Sequence, residues 1–247
     1  SVAGASAFES GSSSDNTSLG FAVTLSEAAT EDVTVSYRLL SGTGQAGSEG
    51  DAYIPGSVSE ASITFAAGET SKTIAIRTAG DLADELDEAV VLEVFSVTGA
   101  SLAGGASTLK ATGWILDNDG TENPLAAFVS RPDVIEGDAG ETEAVFEISL
   151  SRPAPEDITL NYQTVDGGAV AGEDYQAATG AIDIVAGQTV ASVRVPVFGD
   201  TDVEDDEEFF LEVTSPDFAN LEDTASATIV SDDLGVLSLE EADELLL

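Results

Sequence analysis

The chain repeats itself, and this repetition limits the possible folds more than any other feature of the sequence. Residues 31–37 (EDVTVSY) reappear as residues 156–162 (EDITLNY). The acidic segment and strand at 80–94 reappear at 199–213, with Gly-Asp near the start and Leu-Glu-Val near the end of both. A repeat of this length indicates two copies of one structural unit, each with a core of its own.

The boundaries of the two copies follow from the way in which they end. Each copy closes on a short apolar run followed by acidic residues, ending at Asp119 in the first and at Asp233 in the second. A four- or five-residue connection restricts how far two domains can reorient. We therefore expect domains at 1–120 and 124–235, with a linker at 121–123.

The remaining tail, 236–247, does not belong to the second copy. Ser238 and Glu241 have the spacing of a capping box, and good helix formers follow them. The tail is therefore predicted to be a short helix. The alternative is that it begins a third, truncated repeat.

Each copy is predicted to consist of β-strands. Residues 33–38 and 192–197 alternate between apolar and polar side chains, a period that fits a sheet with one buried face. Pro196 places its strand at a sheet edge or at a bulge. Trp114 lies in a strand pattern that favours burial in a core. We therefore predict an all-β fold of two tandem antiparallel β-sandwiches, with about seven strands each.

The composition excludes several classes of function. The chain has 47 Asp and Glu against 7 Lys and Arg, a net charge of −40, which argues against binding to nucleic acid or to an anionic membrane surface. It has no Cys and no His, so the usual ligands of zinc and copper and the usual catalytic bases are missing. Carboxylates, hydroxyls and carbonyls remain, and these are the ligands of hard cations.

The acidic residues of the second copy cluster where strands end. Glu136 follows one apolar strand, Asp174 lies in the segment Gly-Glu-Asp-Tyr, and Asp232 and Asp233 follow the last strand. Strand ends of similar length meet at one end of a sandwich, where their carboxylates could hold a cation with about 6–8 oxygen ligands. Most other acids of the chain are expected to be solvated loop residues. Since the same acidic positions recur in the first copy, calcium is the predicted ligand, ahead of magnesium.

These motifs resemble those of Calx-β domains, and the resemblance covers nearly the whole chain. It rests on Gly-Glu-Asp-Tyr at 172–175, on the acidic loop and strand at 199–213, and on the acidic end at 232–233. The resemblance implies an immunoglobulin-like sandwich that binds Ca²⁺ at one end. The ligands that it implies are Glu9, Asp51, Asp81, Glu85, Glu88, Asp117 and Asp119 in the first copy, and Glu136, Asp174, Asp200, Glu204, Glu207, Asp232 and Asp233 in the second.

Some positions depart from the most acidic members of this family. Ser231 and Asn118 interrupt the two terminal acidic runs, and Gly80 and Gly199 stand where an Asp can occur. The segment around Asp51 is one residue longer than its counterpart around Asp174. We therefore expect fewer or weaker ions than in the most acidic relatives.

The sequence therefore favours a binding module without enzymatic activity. The leading hypothesis is a calcium-stiffened structural or adhesive module, secreted or at the cell surface, within a longer chain. Its expected partners are calcium ions, neighbouring domains and a cell-surface or matrix ligand, with no nucleic acid and no insertion into a membrane. The alternatives are a carbohydrate-binding module and a calcium-sensing regulatory module. A glycosidase with paired carboxylates is disfavoured, since so many acids always offer some suitable pair.

Overall fold

A computed structural model describes most of the chain. The described residues are 1–9, 17–46, 51–55, 60–80, 82–103, 106–119, 124–216 and 222–233. Within these ranges there is no α-helix, and hence no helix that could cross a membrane. The predicted tail helix and its alternative, a third repeat, lie outside the described residues.

Strands account for most of the described structure. In the first domain they are β1 (Val2–Ala3), β2 (Ala5–Phe8), β3 (Thr17–Thr24), β4 (Val33–Ser41), β5 (Ala52–Tyr53), β6 (Glu60–Phe65), β7 (Ser71–Thr78), β8 (Glu88–Thr98) and β9 (Leu109–Leu116). In the second domain they are β10 (Ala127–Val129), β11 (Asp133–Ile135), β12 (Gly140–Leu150), β13 (Ile158–Asp166), β14 (Thr179–Ile184), β15 (Val190–Gly199), β16 (Glu207–Thr214) and β17 (Glu222–Val230).

Each domain is built from two sheets. The first domain has sheets of order β1-β3-β7-β5 and β2-β9-β8-β4-β6, and the second has β10-β12-β15 and β11-β17-β16-β13-β14. The predicted all-β fold with two tandem sandwiches is confirmed. The strand that carries Pro196, β15, is an end strand of its sheet, as predicted from the missing N–H.

The first segment of each domain divides its length between the two sheets. In the first domain β1 pairs antiparallel with β3, and the chain then crosses so that β2 pairs parallel with β9. Gly4 lies at this crossing, where a Cβ would stand 2.4 Å from the carbonyl oxygen of Thr112. The second domain repeats the arrangement with β10 on β12 and β11 parallel to β17. These two parallel pairs are an addition to the predicted antiparallel sandwiches.

The inward residues of the facing sheets form a separate core in each domain. In the second domain Val193, Val195 and Val197 are buried on one face of β15, as their alternation predicts. The ring of Phe146 on β12 is fully buried and meets Phe209 of the facing sheet edge-on, with ring centroids 5.8 Å apart. Such contacts between sheets hold the two layers of the sandwich together.

A third apolar cluster joins the two domains along a contact that we call the seam. It consists of Ala89, Val91, Trp114 and Leu116 from the outer face of β8 and β9, and of Ala126 and Phe128 from the second domain. Trp114 is buried, as predicted, but it lies in the seam and not in a sandwich core. The cause is the strand period, since Trp114 follows Gly113, whose position faces Phe21 in the core.

Two ion pairs flank the apolar part of the seam. Arg152 of the second domain donates to Asp87 of the first with an N–O distance of 2.6 Å, and the Asp87 side chain is fully buried. Lys110 of the first domain lies 2.7 Å from Asp133 of the second. Lys110 also approaches the buried Glu93, which pairs with Arg38.

We expect Phe146→Ala to destabilise the second domain by about 3–5 kcal/mol, because it removes a fully buried ring and leaves a cavity between the sheets. Val185→Ala is the matched control, since Val185 is 55% exposed and its loss should change stability by less than about 0.5 kcal/mol. Chemical denaturation followed by far-UV circular dichroism measures both. Equal effects of the two substitutions would contradict this description of the core.

Candidate metal centre

In the first domain, parallel strand pairing brings three acids together. Because β2 and β9 run side by side in the same direction, Glu9 after β2 lies next to Asp117 and Asp119 after β9. The Glu9 N–H donates to the carbonyl of Leu116 at 3.0 Å and extends this pairing. One carboxylate oxygen from each of these three acids lies within 4.8 Å of the others.

Local hydrogen bonds fix the two aspartates of this group. The N–H of Asp117 donates to Asp87 at 3.0 Å, and the N–H of Asp119 donates to the Asp117 carboxylate at 3.3 Å. The side chain of Asn118, which interrupts the acidic run, donates to the carbonyl of Glu9 at 2.8 Å. Asn118 therefore ties the two strand ends together where a third aspartate would add charge.

The close group of the first domain does not include the other ligands predicted for this domain. Asp51, Glu85 and Glu88 do not belong to the close group of three, and Asp81 lies outside the described residues. The carboxylate of Asp51 accepts a hydrogen bond from the N–H of Gln45 at 2.6 Å. This contact ties Asp51, directly before β5, to Gln45.

In the second domain, two loops deliver the close group. Asp174 lies in the loop between β13 and β14, whereas Glu204 and Glu207 come from the loop between β15 and β16 and the start of β16. One carboxylate oxygen from each lies within 4.8 Å of the others. This group therefore differs in position from that of the first domain, which uses the ends of the parallel strands.

The tyrosine after Asp174 anchors its loop to the core. Tyr175 is fully buried and stacks on Phe209 with ring centroids 4.2 Å apart. Its hydroxyl donates to Asp166 at 2.6 Å, and burial with this bond raises the pKa of Tyr175 to about 12. Asp174 itself accepts from the N–H of Val170 at 2.6 Å. The Gly-Glu-Asp-Tyr segment thus presents Asp174 from a fixed loop.

A buried glutamate lies beneath this group. Glu136 is 4% exposed, and its Oε1 has no hydrogen-bond partner of normal geometry, nor has the Oγ of neighbouring Ser231. Burial raises the pKa of the Glu136 carboxyl above its usual range, and the charges of Asp200, Glu204 and Asp233 raise it further. Ser231, Asp174, Glu204 and Glu207 line the same narrow crevice as Glu136.

The neighbouring carboxyls show the same electrostatic strain. Desolvation, together with the charges of Asp200 and Asp174, raises the pKa of Glu204. Desolvation and neighbouring acids also raise the pKa values of Glu207 and Asp233. Mutual repulsion of ionised carboxylates disfavours their charged forms, so this end of the domain is poised to accept either protons or a cation.

Of the two aspartates that follow β17, Asp232 joins the ends of strands β11 and β17. The N–H of Gly137 donates to Asp232 at 3.0 Å, while Asp233 Oδ2 is buried without a partner. Gly199 packs against the same turn, where a Cβ would stand 2.1 Å from the carbonyl oxygen of Gly137. This close approach explains why Gly occupies a position where an Asp can occur.

Several acids at these ends were not singled out by the sequence. Asp87 joins Asp117 to Arg152, and Asp202 and Asp138 add to the negative field around Asp233. Asp202 could have been found, because it lies two residues from Asp200 in the same acidic loop. Asp87 could not have been found from the sequence, because its partner Arg152 belongs to the second domain.

The donors of both groups fit a hard cation. Buried oxygens without a partner occur, among the described residues, on Asp119, Glu136 and Asp233, at the same strand ends as the close groups. A buried ionised carboxylate without a donor is costly, and a divalent cation removes this cost while accepting several oxygens at once. All of these donors are oxygen atoms, which suit calcium.

Comparison with known proteins gives both a family and distant relatives. The family described as "Calx-beta domain" matches residues 8–119 and 124–234. Sodium/calcium exchanger 1 of Canis lupus familiaris is 26% identical over 207 residues, which is 76% of this chain and 20% of that protein. The rat protein, from Rattus norvegicus, is 23% identical over 236 residues, with 87% and 23% covered. The chain therefore spans about a fifth of the length of these relatives.

Solved structures with some similarity include two described as domains of Calx proteins. The crystal structure of the apo-form Calx CBD1 domain is 21% identical with a TM-score of 0.39, covering 44% of this chain and 98% of that one. That of CBD12 from CALX1.2 is 19% identical with a TM-score of 0.37, covering 89% and 80%. The family match extends over most of the chain in two consecutive segments, and the chain therefore belongs to the Calx-beta domain family, with two of its domains in tandem.

Proposed function

We propose that the chain is a calcium-binding tandem module whose ions stabilise the two sandwiches and the seam between them. The observation that carries this proposal is that each domain groups three carboxylates within 4.8 Å beside buried oxygens that lack a partner. Ca²⁺ is the cofactor of the Calx-beta family to which the chain belongs. It is also the cation that an all-oxygen donor set suits best.

The proposed ligands are those that the sequence predicted, ordered by their geometry. Glu9, Asp117 and Asp119 are the primary ligands of the first domain, and Asp174, Glu204 and Glu207 those of the second. Glu136, Asp200, Asp232 and Asp233 are proposed to supply further oxygens to the second group. Asp51, Asp81, Glu85 and Glu88 are kept as proposed ligands of the first domain, and Asp81 lies outside the described residues. The domains are proposed to extend over 1–120 and 124–235, with 121–123 as the linker.

The first-domain site is proposed to act on the seam through Asp87. One oxygen of Asp87 accepts the N–H of the ligand Asp117, and the other accepts from Arg152 of the second domain. A cation held by Asp117 would fix the backbone that positions Asp87, and with it the partner of Arg152. Calcium would therefore restrict movement between the domains without changing either core.

The biological setting allows two versions of this function. The sequence favours a structural or adhesive module outside the cell, and that location remains a prediction. The relatives named sodium/calcium exchanger 1 do not support it and favour the alternative, a calcium-sensing regulatory module. Stiffening by calcium would serve either version.

A carbohydrate-binding function receives no support from the described side chains. A carbohydrate site needs an exposed aromatic platform, but Trp114, Tyr37 and Tyr175 are buried. Among the described aromatic side chains, Phe8 is the one that is exposed, at 57%, and a single exposed ring does not form a platform. We also propose binding and not catalysis, since the grouped acids fit the cation site.

We expect metal-free protein to become more stable as the pH falls from about 7 to about 5. The pKa values of Glu136, Glu204, Glu207 and Asp233 are raised in the folded state, so the folded protein binds more protons than the unfolded chain over this range. Calcium-loaded protein should be more stable than metal-free protein at neutral pH. This difference in stability should narrow on acidification, because protons compete with calcium for the carboxylates. Melting curves in chelator and in calcium measure this, and curves that coincide at neutral pH would refute calcium binding.

We expect Glu204→Gln with Glu207→Gln to remove the calcium bound by the second domain while the first domain continues to bind. Both substitutions remove charge from the same close group and preserve side-chain volume. Glu208→Gln is the matched control, since Glu208 neighbours Glu207 but points to the opposite face of β16. Calorimetric titration counts the ions. Loss of all calcium in the double variant would indicate one site shared by both domains.

We expect calcium to narrow the distribution of interatomic distances in small-angle scattering, relative to chelator, at unchanged circular dichroism. Arg152→Gln should abolish this narrowing, because it leaves Asp87 without its partner across the seam. Arg194→Gln is the control, since its ion pair with Glu143 is exposed and lies within the second domain. A calcium response that survives in Arg152→Gln would show that the seam is fixed by other contacts.

A further inference from the structure

The outer sheet faces of the two domains can be compared position by position. In the first domain Glu88 pairs with Ile115, and in the second Glu207 pairs with Ile229, so the two strand pairs have the same register. The face of the first domain that the second domain covers, which we call the receiving face, includes Ala89, Val91, Lys110 and Trp114. The second domain has Glu208, Phe210, Thr224 and Thr228 at the same positions. It therefore has no cation at these positions and only one apolar side chain, Phe210.

One aromatic ring shows how the second domain fills this space by itself. A Cβ on Gly42 of the first domain would stand 3.2 Å from the ring of Phe128, which the second domain inserts into the seam. A Cβ on Gly167, the counterpart of Gly42, would stand 2.9 Å from the ring of Phe210 on β16. Phe210 thus lies over Gly167 as Phe128 lies over Gly42, and no room remains for an incoming ring.

The opposite half of the seam, the inserting face, also occurs only once in the described parts of the two domains. It consists of Phe128, Asp133 and Arg152 of the second domain. The registers of β1 with β3 and of β2 with β9 place Ser1 and Ser6 at the positions of Phe128 and Asp133. The repeat places Glu27 at the position of Arg152. The first domain therefore offers neither the ring nor the cation, and Glu27 would repel an aspartate such as Asp87.

We infer that the seam is a one-way interface, in which only the first domain receives and only the second domain inserts. The partner of an opened tandem is then a second copy of this chain, which exchanges second domains with it. Such an exchange closes on itself, because two chains form two identical seams and leave no face free. This inference follows from the seam contacts alone and does not depend on cation binding.

Charge strengthens this selectivity. With a net charge of −40, two copies repel each other except where complementary groups meet. Arg152 and Lys110 supply the cations of the seam, and each meets a carboxylate of the other domain. A repeated head-to-tail contact would need both faces on the outer ends of the tandem, where Glu27 and Glu208 stand at the corresponding positions.

The test uses two full-length variants that each lose one face by taking residues from the other copy. Ala89→Glu with Trp114→Thr removes the receiving face, and Phe128→Ser with Arg152→Glu removes the inserting face. Sedimentation velocity in calcium should show each variant alone as a monomer. Their equimolar mixture should form a one-to-one dimer with twice the molar mass, because each supplies the face that the other lacks.

A mixture that stays monomeric at high protein concentration would overturn the inference, and so would self-association of either variant alone. Circular dichroism and calcium titration of each variant separate a folding or cation-binding defect from a failure of the interface.

Charge-reversed chains provide the second test. One variant carries Asp87→Arg with Lys110→Glu, and the other carries Asp133→Lys with Arg152→Asp. Each variant alone should be a monomer, and their equimolar mixture should form a one-to-one dimer. A single chain with all four reversals should remain monomeric.

Discussion

The parallel pairing of the segment that opens each domain with the strand that closes it determines the rest of the structure. Because β2 lies beside β9 and β11 beside β17, the acids that follow these strands emerge at the same end of the sandwich. Backbone hydrogen bonds of these ladders fix the strand ends from which the acids emerge. The same pairing sends the chain out of the first domain at its acidic end, where the second domain begins.

The sequence predicted the repeat, the sheets and the positions of the acids, since these depend on local patterns. Alternation at 192–197 placed Val193, Val195 and Val197 in the core, and Pro196 placed β15 at an edge. What the sequence could not predict depends on contacts between distant segments. The crossing at Gly4, the close fit of Gly199 and the bond from Arg152 to Asp87 are all of this kind. The recurrence of acids predicted equivalent sites, but the close groups use different loops in the two domains.

The scarcity of basic residues gives each of them weight. Of the 7 in the chain, Lys110 and Arg152 bond across the seam, and Arg38 supports Lys110 by sharing the buried Glu93. Exposed ion pairs contribute little to stability, whereas removing one partner of a buried pair is costly. Two of the few cations of the chain thus lie where its domains meet, each bonded to a carboxylate of the other domain.

The position of Trp114 gives the protein a built-in optical reporter. It is the single tryptophan of the chain, and its indole lies against Ala126 and Phe128 of the neighbouring domain. Tryptophan emission depends on the polarity around the indole, and Trp114 is only 6% exposed while the domains are in contact. The intrinsic fluorescence of the folded, unlabelled protein, excited where only indole absorbs, therefore reports on the seam.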